Sequence, residues 1–122
     1  QRGLPLRLVP AGLSISGVFD LQPLIDTSLN ANLRLDRKEA IDVSPLAMVA
    51  PSGTHLTAAV GGGESSEFIR QSRIIADIWG RGGVDTRLDI RGTDNHFTVI
   101  APLADPHSDL TQTLAAMTKA VC

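Results

Sequence analysis

Cysteine is almost absent from this chain. Cys122, at the last position, has no partner for an intrachain disulfide, which fits a reducing, cytoplasmic compartment and an exposed thiol. Clustered positive charge is absent too. The 11 Lys and Arg residues are scattered among 13 Asp and Glu, for a net charge of −2, so no phosphate-tracking surface and no nucleic-acid partner are expected. No run approaches the roughly 20 apolar residues that a membrane helix needs, and no membrane partner is expected. Metal-ligand spacing is missing, because His55, His96 and His107 are far apart and unaccompanied by Cys or clustered carboxylates. Gly61-Gly62-Gly63 runs into Glu64 instead of the Lys-Ser/Thr of a phosphate loop, and no cofactor is expected. The first residue is Gln1 and not Met, so the expectation is a piece of a longer polypeptide.

What is present suits one domain, with 43% apolar residues over 122 positions. Leu13–Phe19 alternates and is rich in β-formers, which predicts a strand entered through Pro10-Ala11-Gly12 and ended by Asp20. Leu21 to Asn32 reads as a loop with at most one helical turn. Asp36 and Glu39 form a capping box, which predicts a short helix over Arg37 to Asp42, stopped by Ser44-Pro45. After an irregular connection, His55 to Val60 has little polar alternation, as a parallel strand covered on both faces would. The next helix carries Phe68, Ser72, Ile75 and Trp79 on one stripe, widened by Ile74 and Ile78, with Gly80, Gly82 and Gly83 as stops. Val84 to Ile90 alternates as an edge strand does. Phe97 to Leu103 has room for one helical turn, and Asp105-Pro106 predicts the start of a last helix that buries Leu110, Leu114, Met117 and Val121.

Strands alternating with helices predict an α/β fold of three parallel strands with flanking helices. The strand Leu13–Phe19 is too apolar for a free edge, so a missing N-terminal half or a partner chain is expected to pair with it. Open α/β sheets place their sites beyond the carboxyl ends of the strands. Glu64 follows one such strand and His96 the next, which makes them candidates for the acid and the base of a hydrolytic triad. No Gly-x-Ser-x-Gly occurs, so the nucleophile would lie outside this chain. Other residues have plainer readings. Asp20 caps a loop, Glu67 meets a helix dipole, Asp94 stabilises the histidine loop although it could replace Glu64, His55 and His107 are surface residues, and Trp79 is core. A non-catalytic α/β module that binds a partner through its open strand would show the same pattern.

Three separated segments carry a family resemblance. Ser16-Gly17-Val18-Phe19-Asp20-Leu21-Gln22-Pro23-Leu24, continuing through Thr27-Ser28-Leu29-Asn30, Leu33-Arg34-Leu35 and Ser44-Pro45, resembles the region after the nucleophile helix in kynurenine formamidases (arylformamidases) and related esterases. Glu64 to Arg73 is similar to that family's acid loop and helix, and Arg91 to Phe97 to its histidine loop. The chain departs from the family in having Glu64 where Asp is usual, and in carrying Asn95 as an extra residue before His96. The resemblance runs from about Leu4 and implies the C-terminal part of a single α/β-hydrolase domain. It implies Glu64 as triad acid and His96 as triad base, a formamide or an ester as the small-molecule substrate, and hydrolysis of N-formylkynurenine to kynurenine and formate. A carboxylesterase of the same fold is the nearest enzymatic alternative. These residues alone are expected to be inactive.

Overall fold

The computed structural model describes residues 8–121. The expectations for Cys122 and for the resemblance before Leu8 lie outside the described residues, as does the side chain of Val121. Three parallel strands form one sheet in the order β1 (Ala11–Ile15), β2 (His55–Gly61) and β3 (Asp85–Arg91). Ala11 pairs with His55 and His55 with Asp85, so the three strands start level and end at the same rim. Between β1 and β2 lie two short helices, α1 (Asn30–Leu33) and α2 (Arg37–Asp42), and 3-10 turns at Gln22–Asp26 and Pro45–Ala47. A long helix, α3 (Ser66–Arg81), joins β2 to β3, and α4 (Asp109–Val121) follows β3.

β2 is the middle strand, and Thr57 to Val60 are buried on both faces, with Ala58, Ala59 and Val60 at 0% exposure. Alternation along the strands assigns the two faces. Thr86 Oγ1 donates to the Ala76 carbonyl of α3 at 2.8 Å, which puts the even-numbered residues of β3 under that helix. Thr57 and Arg87 point the other way, into a groove of about 650 Å³ shared with Thr113 and Met117 of α4. One helix therefore covers each face. α3 buries Gln71, Ser72 and Ile75, and Gly82 closes it at the C-cap. Among the described residues, no helix is long and apolar enough to cross a membrane.

Several boundaries differ from the sequence reading. The strand expected at Leu13–Phe19 is shifted to Ala11–Ile15, because Ser16 adopts a left-handed conformation (φ 50°) that ends the extended run. Leu21 to Asn32 holds two helical pieces, the 3-10 turn and α1, where at most one turn was expected. The predicted helix start at Asp105-Pro106 is a turn instead. Asp105 Oδ1 accepts from the His107 amide, and α4 begins only at Asp109, where Ser108 Oγ accepts from the Thr111 amide. The stripe on α4 is only partly buried. Leu110 is fully buried, but Leu114 is 41% exposed, since α4 meets the sheet at β1, one of its two outer strands. Ile78 is likewise 40% exposed, on the outer side of α3. By contrast, α2 spans the expected Arg37–Asp42, and both halves of its capping box form.

Candidate active site

β2 and β3 end side by side, and each is followed by a loop that carries one of the two candidate residues. After β2 the chain turns through Gly61-Gly62-Gly63 to Glu64 and enters α3, whose N-cap is Ser65. After β3 it turns at Gly92 and reaches His96. Backbone bonds sew the two loops together, with Gly62 N–H donating to the Arg91 carbonyl at 3.2 Å and Gly63 N–H to the Asp94 carbonyl at 3.0 Å. A β-carbon on Gly61 would stand 2.1 Å from the Asp94 carbonyl oxygen, so only glycine allows this approach.

The loops bring the two side chains into contact. Glu64 Oε2 lies 2.8 Å from His96 Nδ1, across 32 residues of sequence. The Glu64 side chain is 1% exposed and that of His96 51%, so a hidden carboxylate holds an imidazole whose other edge is accessible. Glu64 Oε1 accepts from the Ser16 hydroxyl at 2.5 Å and from the Gly61 amide at 2.9 Å. Burial alone would raise the pKa of this carboxyl. The hydrogen bonds from Ser16, Gly61 and His96 outweigh that effect and hold it below the ordinary glutamate value. Glu64 is therefore ionised at neutral pH and accepts every bond it makes.

His96 is held from three sides. The Phe68 ring lies against it with centroids 4.8 Å apart, and Phe97 meets it edge-on at 5.9 Å. Below it, Asn95 Oδ1 accepts from the Phe97 and Thr98 amides at 2.9 and 3.0 Å, while the Asn95 amide donates to Thr98 Oγ1 at 2.9 Å. Asn95 thus caps the turn that presents the imidazole. Asp94 also steadies this loop, by accepting from Thr98 Oγ1 at 3.1 Å. Arg91 anchors its base through Asp89 at 2.9 Å and Asp109 at 2.6 Å. Around Glu64 and His96, a recess of about 370 Å³ is lined also by Gly63, Phe68, Asn95 and Phe97.

A second polar cluster fixes the segment after β1. The Gln71 side chain, on a residue only 2% exposed, accepts from the Phe19 and Asp20 amides at 2.9 and 2.8 Å. Its amide donates to the Asp20 carbonyl and to Glu67 Oε1, both at 2.8 Å. Arg70 bridges Asp20 at 2.9 Å and Glu67 at 2.8 Å. Asp20 and Glu67 are thus structural partners here.

No family model matches the sequence. The chain is 29% identical to kynurenine formamidase of Danio rerio over 108 residues, and 32% identical to that of Salmo salar over 110 residues. Each match takes in 84% of this chain and 37% of the fish protein. The chain is kynurenine formamidase-like. It spans well under half the length of the curated relatives it matches. A crystal structure of a candidate thioesterase from a Silicibacter species superposes with a TM-score of 0.73 at 34% identity, again over 84% of this chain and 37% of that one.

Within this kynurenine formamidase-like chain, the structure joins Glu64 to His96 and leaves the other candidates elsewhere. His55 sits at the opposite end of the sheet, 2.8 Å from Asp85. Asp94 points to Thr98, away from the imidazole's partner. Among the described residues, no three His, Cys, Asp or Glu side chains converge on a metal-sized site. No local pattern in the sequence marks the roles of Ser16 and Gln71. Ser16 lies 48 residues from Glu64, and nothing in the local pattern distinguishes it from a strand residue facing its neighbours.

Proposed function

We propose that this chain is the C-terminal part of a single α/β-hydrolase domain that hydrolyses a formamide C–N bond, with N-formylkynurenine as substrate and kynurenine and formate as products. The observation that carries this reading is the buried Glu64 carboxylate, 2.8 Å from Nδ1 of a half-exposed His96. The fish kynurenine formamidases support the choice of bond. The side of β1 on which no described strand lies is the place for the next strand, from an N-terminal half or a partner chain that also brings the nucleophilic serine. The single cysteine supports a cytoplasmic setting.

In this scheme Glu64 fixes the proton of His96 on Nδ1, which leaves Nε2 as the base. Nε2 takes the proton of the serine hydroxyl as its oxygen attacks the formyl carbon, and gives that proton to the departing amine nitrogen when the C–N bond breaks. Water, deprotonated by Nε2, then attacks the formyl carbon of the formyl-serine, the ester C–O bond breaks to release formate, and Nε2 returns the proton to the serine oxygen. Glu64 stays ionised throughout and stabilises the imidazolium.

The test uses the complete polypeptide that carries this chain and its serine. N-formylkynurenine should be turned over with a higher kcat/KM than a short acyl ester or a thioester, and Glu64→Ala and His96→Ala should each lower kcat by about 10³-fold or more. A preference for the ester would favour a carboxylesterase, and one for the thioester would follow the Silicibacter neighbour. Turnover unaffected by either substitution would overturn the triad. The 122-residue chain alone should show no turnover.

A further inference from the structure

We infer that Ser16 is a positioning residue for the acid–base pair, its hydroxyl fixing the rotation of the Glu64 carboxylate that faces His96. The inference rests on the reading of Glu64 and His96 given above.

Ser16 follows β1 directly, is 8% exposed, and sits at φ 50°, a region that a residue with a β-carbon rarely occupies. Its surroundings determine this conformation. The Ser16 amide donates to the Ala59 carbonyl at 2.8 Å, continuing the β1–β2 ladder by one bond. Beyond it the chain folds back through Gly17, where a β-carbon would stand 2.4 Å from Ser14 Oγ. The Gln71 side chain then grips the Phe19 and Asp20 amides. Held on both sides, Ser16 turns its hydroxyl inward to Glu64 Oε1 at 2.5 Å.

Glutamate has three side-chain torsions, and the last is broad and roughly two-fold, so a carboxylate on it is oriented only by its partners. Here Oε1 has two donors, Ser16 Oγ and Gly61 N–H, and Oε2 has His96. Removing the hydroxyl leaves one donor on Oε1, frees the carboxylate to rotate, and loosens the imidazole. A turn-forming serine with no role in the site would need only its backbone shape, and glycine supplies that shape at φ 50° without strain.

The decisive variant is therefore Ser16→Gly, with Ser16→Ala beside it, assayed in the complete serine-bearing polypeptide on N-formylkynurenine. Ser16→Gly should keep KM and lower the thermal midpoint less than Ser16→Ala does, because glycine relieves the backbone at φ 50° while both lose the bond to Glu64, and kcat should fall about tenfold to a hundredfold. The downfield Nδ1 proton resonance of His96 should broaden or move upfield in the same variant of that complete polypeptide. An unchanged kcat and an unchanged resonance in Ser16→Gly overturn the inference. If Glu64→Ala and His96→Ala still abolish turnover in that case, only the role of Ser16 is lost. If those two substitutions also leave turnover intact, the reading of the site fails and this inference fails with it.

Discussion

Gly62 lies so close to Gly92 that a β-carbon on the first would meet the carbonyl oxygen of the second at 1.9 Å. The contact joins the loop that carries Glu64 to the loop that carries His96, and it involves rigid backbone on the far side. Gly62→Ala should therefore push the loops apart and not be absorbed by a side-chain shift. A loss of roughly 1–3 kcal/mol is expected, as for overpacking of a tight contact. Urea unfolding of the variant measures it, and an unchanged midpoint would show that the loops yield freely.

The Gln71 latch predicts a different signature. Gln71→Ala leaves the Phe19 and Asp20 amides and the Asp20 carbonyl without their partner in a part-buried segment. Fully buried, three such groups would cost about 1–3 kcal/mol each, and with the segment only part-buried a total loss of roughly 2–5 kcal/mol is expected. Hydrogen exchange at Phe19 and Asp20 should accelerate far more than at Ala58 to Val60, in the middle of the sheet. Uniform acceleration would mean that the latch supports the whole fold and not this segment.

Much of this layout is readable in the chain itself, and the exceptions share a cause. The capping box at Asp36 and Glu39, the apolar run before Gly61 and the alternation of β3 are local signals, and each marks the element that forms. The 32-residue spacing between Glu64 and His96 leaves room for α3 and β3, which then deliver both side chains to one rim. Asp105-Pro106 misled because a capped turn and a capped helix start look alike over four residues. The Ser16 hydroxyl and the Gln71 amide act across 48 to 52 residues, where no periodicity reaches.

Acid should weaken the fold through its bonded carboxylates. For Glu64 and for Asp20, burial pushes the pKa up, but hydrogen bonds, from Ser16 in the first case and Arg70 in the second, bring it below the ordinary value. For Glu67 the bond from Arg70 dominates, in the same direction. Because the folded state holds these groups ionised more strongly than the unfolded chain does, the unfolded chain binds more protons as pH falls. Their contribution is complete well above pH 4.5, the ordinary glutamate value, and is lost on descending from there through the lower folded-state values. The urea midpoint should drop over that range, and Glu64→Gln should be less stable at neutral pH and flatten the slope. A midpoint that rises on acidification would reverse the assigned direction.

The proton shared between Glu64 and His96 determines which ring nitrogen is free to act as a base. With Glu64 ionised and 2.8 Å from Nδ1, neutral His96 must carry its proton on Nδ1 and keep Nε2 free to act as a base. Nitrogen-15 NMR of the histidine-labelled chain distinguishes the two tautomers directly. The prediction is a protonated, downfield Nδ1–H and an unprotonated Nε2 at pH above the imidazole titration, reversed or averaged in Glu64→Ala. A wild-type His96 protonated at Nε2, or one whose spectrum does not respond to Glu64→Ala, would contradict the claim that this carboxylate orients this imidazole.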